Sequence, residues 1–195
     1  SQMKIGRTTN EIHRSENFEE SKYKIEATSK AFFILSDGLY SNKVLAVIRE
    51  LSTNAYDSHV ENGNVAQPFI VHLPNSVEPE FYIRDFGTGM SHEDCMSLYT
   101  TYFRSNRTDS NESVGCMGLG SKSPFAYTDS FNVESFHNGT HTIYNAYKNE
   151  REEPVFALLS KEETSEPNGL KISFAVKSQA YENDFERFYE EAKNV

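Results

Sequence analysis

The chain has 195 residues, of which 37% are hydrophobic and 13% aromatic, so it can bury one core and is too apolar to be intrinsically disordered. Its 29 acidic and 19 basic residues give a net charge of −10, which argues against non-specific binding to nucleic acid. The two cysteines, Cys95 and Cys116, fit no metal-binding or redox spacing and are interpreted as reduced thiols. No apolar run approaches the length of a membrane span.

The chain begins with a polar, weakly patterned segment. We expect residues 1–20 to form a flexible N-terminal arm and residues 21–195 to form a single domain. Alternating apolar positions from Tyr23 to Ala27 predict an edge strand. Thr28 and Ser29 are suited to cap a short helix that ends near Leu35.

A longer helix is predicted from Asn42 to Glu61, because this run contains neither proline nor glycine. Ser41 and Asn42 are suited to begin it, and residues 62–64, Asn-Gly-Asn, are suited to end it. Leu45, Tyr56 and Val60 lie on its far side, so we do not expect that side to be simply solvated. The helical period places four apolar residues on one face directed into a core: Val44, Ile48, Leu51 and Ala55.

A polar stripe runs along the same helix and contains Glu50, Asn54 and Asp57. Phosphate-bound Mg²⁺ usually takes only one or two protein oxygens, and Asn54 can supply one. Glu50 lies one turn earlier and can orient and deprotonate a water aimed at a terminal phosphate. The alternative interpretation is that Glu50 and Asp57 are ordinary surface acids.

Two strands, residues 69–73 and 80–85, are predicted next. The second leads directly into Asp85-Phe86-Gly87-Thr88-Gly89-Met90. A carboxylate only accepts hydrogen bonds, so Asp85 suits the exocyclic amine of a purine. The glycines let the backbone turn and approach a planar ligand. By itself this motif is weak evidence, because turns after strands often contain these residues.

A helix from Ser91 to about Tyr102 precedes a polar stretch, residues 104–113, which we expect to be a mobile loop. The glycine-rich run of residues 115–124 follows. Successive glycines allow backbone N–H groups to converge on an anion, and a helix starting near Ser121 adds its positive end. Ser121 and Lys122 are then placed to contact outer phosphates. The run matches neither a Walker A motif nor a dinucleotide-binding fingerprint, and such loops are also purely structural.

The last third of the chain is mainly strand, with a hairpin turn at Asn138-Gly139 and an amphipathic helix over residues 181–193. Strands that follow one another late in the chain favour antiparallel pairing, whereas the helices cluster earlier. We therefore predict an α+β fold with helices on one face of a mixed, mostly antiparallel sheet. The predicted late strands are residues 131–136, 140–147, 155–159 and 170–176.

These motifs, in this order, resemble the GHKL ATPase superfamily, which includes DNA gyrase B, the ninety-kilodalton heat-shock chaperones, MutL and sensor histidine kinases. The polar stripe of the long helix matches the family's N-box, Asp85-x-Gly87-x-Gly89 its adenine loop, and Gly115, Gly118 and Gly120 its phosphate loop. The resemblance implies the two-layer α/β sandwich of the Bergerat fold.

The chain is also similar to the N-terminal domain of the phage rIIA family of rapid-lysis and lysis-inhibition accessory proteins, through residues 47–51, 84–87 and 118–129. This resemblance implies that Asp85 binds ATP, that Asn54 binds Mg²⁺, that Glu50 is the general base and that about residues 91–120 form a lid. The implied nucleotide-binding residues are Asn54, Asp57, Asp85, Gly87, Gly89, Met90, Gly115, Gly118, Leu119, Gly120, Ser121 and Lys122.

The sequence departs from the family pattern in two places. The family's late Gly-Thr motif, whose threonine lies near adenine, is replaced by Gly169-Leu170, which removes a hydroxyl. Many relatives continue into a second domain that supplies a lysine to the γ-phosphate. We therefore expect either a further domain or slow hydrolysis.

The resulting hypothesis is an ATP-binding, slowly hydrolysing domain in which nucleotide controls lid closure and formation of a homodimer. A host or phage protein is the expected partner, and the expected location is the host cytoplasm, with peripheral membrane association as an option. One alternative is a non-catalytic interaction module, and a weaker one is a histidine-kinase-type phosphotransferase. The remaining histidines are interpreted as structural or surface residues: His59, His72, His92 and His137.

Overall fold

The computed structural model describes residues 22–24, 42–100, 120–179 and 182–195. Predictions that concern other parts of the chain stay untested. Those outside the described residues are the arm of residues 1–20, the short helix of residues 28–35, the loop of residues 104–113, and Gly115, Gly118 and Leu119.

The centre of the fold is a seven-stranded sheet. Its strands are β1 (Lys22–Lys24), β2 (Ile70–His72), β3 (Glu80–Arg84), β4 (Ser130–His137), β5 (Thr140–Lys148), β6 (Pro154–Glu163) and β7 (Gly169–Ala175). Their order in the sheet is β1-β6-β5-β4-β7-β3-β2. Every pairing in the described part of this sheet is antiparallel, where the sequence predicted a mixed, mostly antiparallel one. Two short strands, β8 (Ser178–Gln179) and β9 (Glu182–Asn183), form a separate ribbon.

A two-residue hairpin turn connects β4 to β5. Asn138 and Gly139 have φ values of 49° and 83°, which suits the two-residue turns that match strand twist. Strand β7 then returns between β4 and β3. The start of β7 thereby meets the end of β3, where the Asp85 N–H donates to the Leu170 carbonyl at 2.8 Å.

Four helices are described: α1 (Lys43–Asn62), α2 (His92–Thr100), α3 (Asp184–Ala192) and a 3₁₀ helix (Gly120–Ala126). The predicted boundaries of α1 are confirmed. The Asn42 side chain accepts a hydrogen bond from the Leu45 N–H at 3.1 Å, and Gly63 ends the helix with φ of 78°. The 3₁₀ helix lies where a helix starting near Ser121 was predicted, and Pro124, which lacks a backbone N–H, lies inside it.

The core lies between α1 and one face of the sheet. The four α1 residues predicted to be buried are at most 3% exposed. Val47 and His59 are buried as well, which the sequence did not predict. Tyr56 and Val60 are 53% and 50% exposed, so the expectation that the far side of α1 is not simply solvated is wrong for these two residues.

Successive residues along each strand point to opposite faces of the sheet, and one of these faces is buried. On that face, residues paired across β3, β7, β4 and β5 have buried side chains. The opposite face presents partly exposed polar residues such as Tyr82, Glu134 and Lys171. The predicted α+β class, with helices on one face of the sheet, is confirmed. The buried positions of this face include Phe81, Ile83, Val133, Tyr144, Ile172 and Phe174.

None of the helices in the described segments has both the length and the apolar character needed to cross a bilayer.

Candidate functional site

The polar stripe of α1 and the start of the 3₁₀ helix lie against each other. Glu50 and Asn54 are half-buried, whereas Asp57 is exposed. A β-carbon at Gly120 would lie 3.1 Å from Glu50 Oε2 and 3.7 Å from the Asn54 side-chain nitrogen. The backbone of Gly120 therefore reaches the Glu50–Asn54 pair because it carries no side chain. The structure thus brings together two of the three predicted stripe residues and the end of the predicted phosphate loop.

Ser121 and Ser123 follow Gly120 in the 3₁₀ helix. Their Oγ atoms are buried and, within the described segments, make no hydrogen bond. Buried polar atoms are nearly always paired in folded proteins. These two hydroxyls are therefore candidates for pairing with a bound group.

Lys122 lies between these serines and is only 1% exposed. Its ammonium donates to the Leu98 carbonyl, near the end of α2, at 3.0 Å. Burial lowers the pKa of Lys122 to about 8, because desolvation disfavours the charged form. The side chain therefore ties the 3₁₀ helix to α2, and its predicted contact with a phosphate stays a prediction.

Asp85 lies at the end of β3 and is 5% exposed. Its Oδ1 accepts hydrogen bonds from the Gly87 and Leu170 N–H groups at 3.0 and 3.1 Å. Burial raises the pKa of the Asp85 carboxyl, and the two backbone hydrogen bonds, then His59 and Arg84, oppose that rise. Leu170 lacks the hydroxyl of the family's threonine, but its backbone N–H donates a hydrogen bond directly to the Asp85 carboxylate.

Arg84 supports the Asp85 segment from behind. Its guanidinium lies 4.5 Å from the ring centre of Phe86 and 4.1 Å from that of Phe136. It donates to the Asp85 carbonyl and to the Pro167 carbonyl, the latter at 2.6 Å. Burial lowers the pKa of Arg84. These contacts hold the chain before β7 against the end of β3.

Glycines permit the close approaches around Asp85. A β-carbon at Gly87 would overlap the Ser58 side chain of α1, and one at Gly89 would overlap the Phe136 carbonyl oxygen. Gly89 also has φ of 67° and Gly169 has φ of 147°, conformations that side chains with a β-carbon rarely adopt. A β-carbon at Gly169 would overlap the Asp85 carbonyl. The predicted adenine loop is therefore packed tightly between α1, β4 and β7.

A cavity of about 460 Å³ opens beside this loop, within the size range of small-molecule sites. Gly89 and Met90 line it, and Met90 is fastened to β4 because Ser135 Oγ both donates to its carbonyl and accepts from its N–H. Glu50, Asn54 and Asp85 are not among the lining residues. The remaining lining residues are Glu61, Thr88, Asp94, Ser97 and Leu98.

Sequence reasoning missed the residues that support the loop rather than line it. Arg84 and His59 are buried, and Asn64 donates to the Phe86 carbonyl at 2.9 Å. The helical period placed His59 four residues after Ala55, on the buried face, and this was the available signal. Nothing in the local sequence indicated the contact of Asn64 with Phe86.

No group of three histidine, cysteine, aspartate or glutamate side chains in the described segments is placed to hold a metal ion. A metal at Asn54 would therefore need ligands from elsewhere, such as substrate phosphates and water.

A family profile described as histidine kinase-, DNA gyrase B- and HSP90-like ATPase matches residues 41–177. No curated protein sequence matches the chain with significance. The profile spans more than half of the chain and covers α1, the Asp85 loop, the 3₁₀ helix and strands β2 to β7. The chain therefore belongs to the histidine kinase-, DNA gyrase B- and HSP90-like ATPase family.

Proposed function

We propose that this chain is an ATP-binding domain that hydrolyses ATP slowly with Mg²⁺. The observation that supports it most directly is the contact of Gly120 with Glu50 and Asn54, because it brings the proposed general base and the proposed metal ligand next to the end of the predicted phosphate loop. Family membership supports ATP as the nucleotide. The proposed site has a base end around Asp85, for adenine, and a phosphate end around Gly120 and Glu50.

At the base end, Asp85 is the proposed acceptor for the adenine amine. Both hydrogen bonds that the Asp85 carboxylate accepts within the described segments use Oδ1, so Oδ2 is left to accept from a ligand. Burial raises the Asp85 pKa, and the two N–H donors and the nearby Arg84 act against that rise because they favour the ionised acceptor form.

At the phosphate end, Glu50 is the proposed general base and Ser121 a proposed phosphate donor. The Glu50 carboxylate takes a proton from a water, the water oxygen bonds to the γ-phosphorus, and the bond from that phosphorus to the bridging oxygen breaks to leave ADP. The unpaired Ser121 hydroxyl gains a partner in a phosphate oxygen. Asp57 is exposed, and its proposed role is limited to the rim of the site.

Mg²⁺ fits the donor set through Asn54, whose amide oxygen is a hard ligand that lies beside Gly120. When bound with ATP, the metal neutralises phosphate charge. Because the described segments hold no protein-only metal site, we expect metal binding to depend on nucleotide.

Titration calorimetry of Mg-ATP into the wild type, Asp85→Asn and Asp129→Asn tests the proposal. Asparagine keeps an acceptor for the Gly87 and Leu170 N–H groups but presents a donor to the adenine amine, so affinity should fall roughly 10- to 100-fold. Asp129 is 80% exposed, and its variant should bind like the wild type. Absence of binding in all three proteins would contradict the proposal and favour a non-catalytic interaction module.

A finer part of the proposal concerns origin and regulation. The sequence segments at residues 47–51, 84–87 and 118–129 support the proposal that this is a phage protein similar to the rIIA family. Nucleotide is proposed to close a lid over about residues 91–120 and to promote a homodimer. Light scattering with and without a non-hydrolysable ATP analogue tests this, and an unchanged monomer-to-dimer ratio would remove the dimer from the proposal.

A further inference from the structure

Both main-chain polar groups of Phe86, the residue after Asp85, are held by side chains from the end of α1 and the loop after it. The Phe86 N–H donates to His59 Nε2 at 2.8 Å, and its carbonyl accepts from Asn64 Nδ2 at 2.9 Å. Gly87 packs directly on Ser58. The Asp85 segment is therefore fixed to α1, the helix that also carries Glu50 and Asn54.

The partners of His59 determine its protonation state. A backbone N–H can only donate, so Nε2 must present a lone pair to Phe86. His59 Nδ1 lies 2.9 Å from the Gln67 carbonyl, which can only accept, so Nδ1 must carry the hydrogen. Both ring nitrogens are thus used by one neutral tautomer, and the side chain is 1% exposed. The rings of Phe69 and Phe86 pack around it, with centroids 5.9 and 6.5 Å away.

Resting on the proposed function, we propose that His59 is a positioning residue for nucleotide binding: its neutral Nδ1–H imidazole holds Phe86 and thereby Asp85, and a proton on Nε2 releases them. A protonated Nε2 would point a donor at the Phe86 N–H, which is also a donor. Neither group could then be satisfied, and buried unpaired donors are unfavourable.

Charged groups near His59 modulate this effect without reversing it. The Asp85 carboxylate attracts an imidazolium at position 59, and that charge would lower the Asp85 pKa. Arg84 is a second positive charge that lowers the pKa of the same carboxyl and competes for its charge. The Phe69 and Phe86 rings contribute no charge. Coulomb attraction through space cannot replace the acceptor that the Phe86 N–H loses, so protonation still frees the loop.

Nitrogen-15 NMR of histidine side chains in the wild type is the first test. We expect the His59 pattern of a neutral ring protonated at Nδ1 at pH 8, and movement of the Phe86 amide resonance when Nε2 gains a proton. An Nε2–H tautomer, or a Phe86 amide that does not move when Nε2 gains a proton, would overturn the inference. This readout needs no nucleotide, so it separates failure of the inference from failure of the proposed function.

Nucleotide affinity between pH 8 and pH 5.5 gives the second test, with Mg-ATP and the variants His59→Gln, His59→Leu and His72→Gln. Glutamine can donate to Gln67 and accept from Phe86 but does not titrate. At pH 8, His59→Gln should stay within about threefold of the wild type and His59→Leu should bind roughly tenfold more weakly. His59→Gln should also lose part of the wild-type weakening at acid pH.

His72→Gln is the matched control because one ring nitrogen of His72 also bonds a backbone carbonyl, that of Glu80, whereas the other pairs with the Glu78 carboxylate instead of the Phe86 N–H. In this variant ATP and Asp85 gain protons as they do in the wild type. Its Mg-ATP affinity should therefore keep the full wild-type dependence on acid pH. Identical acid profiles for the wild type and His59→Gln would overturn the inference. The NMR test remains decisive even if His59→Leu fails to fold.

Discussion

The base end and the phosphate end of the proposed site differ in how completely their polar groups are paired. Around Asp85, backbone and side-chain groups are joined by hydrogen bonds of 2.8 to 3.1 Å. Around Gly120, the Ser121 and Ser123 hydroxyls are buried without partners in the described segments. Lys122 places a buried ammonium on one backbone carbonyl.

This difference indicates which end of the site has its binding geometry already formed without ligand. A satisfied hydrogen-bond network holds the base end in one geometry. Unpaired buried groups are unfavourable for the folded chain, and at the phosphate end an anion would satisfy them. We interpret the phosphate end as the part of the proposed site where ligand binding has most to contribute.

The largest expected effect is on catalysis at the phosphate end. Glu50→Gln keeps the shape of the side chain but removes the base, so the ATP hydrolysis rate should fall roughly 10²- to 10⁴-fold while Mg-ATP affinity is kept. Phosphate release and calorimetry measure the two quantities. Glu190→Gln, which changes a carboxylate with 67% exposure on α3, is the control. An unchanged rate in Glu50→Gln would remove Glu50 as the base.

A pair of glycine substitutions tests how tightly the base end is built. Gly63 and Gly89 have similar φ values of 78° and 67°, but a β-carbon at Gly63 meets nothing within 4 Å, whereas one at Gly89 would overlap the Phe136 carbonyl. Gly63→Ala should cost about 1 kcal/mol of unfolding free energy from backbone strain. Gly89→Ala should cost about 3 kcal/mol, because the clash adds to that strain. Urea denaturation measures both, and equal values would contradict the close packing.

Alkaline pH should stabilise the phosphate end through Lys122. Its pKa is about 8 in the fold, against an ordinary value of 10.5, so between these values the unfolded chain binds more protons. The contribution of Lys122 to the free energy of unfolding should therefore rise with pH across this window, by about 1–3 kcal/mol.

Lys122→Met should lack this rise. Burial also raises the pKa of Cys95, to about 11, and the pKa values of Tyr99, Tyr127 and Tyr144. These shifts act in the opposite direction but are shared by both proteins, so they cancel in their difference. Urea denaturation of the wild type and Lys122→Met from pH 7 to pH 10.5 provides the measurement. A constant difference between the two curves would show that the Lys122 ammonium is not desolvated.

The smallest expected effect concerns the unpaired hydroxyls. Ser121→Ala should weaken Mg-ATP binding by roughly 2- to 10-fold, the range for one neutral hydrogen bond, and should leave the apo protein at least as stable. Ser123→Ala removes a second unpaired hydroxyl that is 0% exposed and should affect stability alone. Equal affinity losses in the two variants would mean that neither hydroxyl is specific for phosphate.

Local patterns in the sequence predicted much of the fold. The run without proline or glycine and its Asn42 and Gly63 ends predicted α1 closely, because capping and helical period depend only on neighbouring residues. The Asn138-Gly139 turn was predictable for the same reason. The 3₁₀ type of the helix at Gly120–Ala126 was not predictable, because its tighter turns depend on the residues that pack against it.

The sequence by itself also determined the order of the three motifs, and with it the family, since the residue types and spacing are legible along the chain. Only the tertiary structure decided which groups meet. The contacts of His59 with Phe86, of Lys122 with Leu98 and of Gly169 with Asp85 join residues 24 to 84 positions apart. A local sequence pattern does not specify contacts across such separations, because burial and hydrogen-bond pairing depend on how the sheet packs against α1.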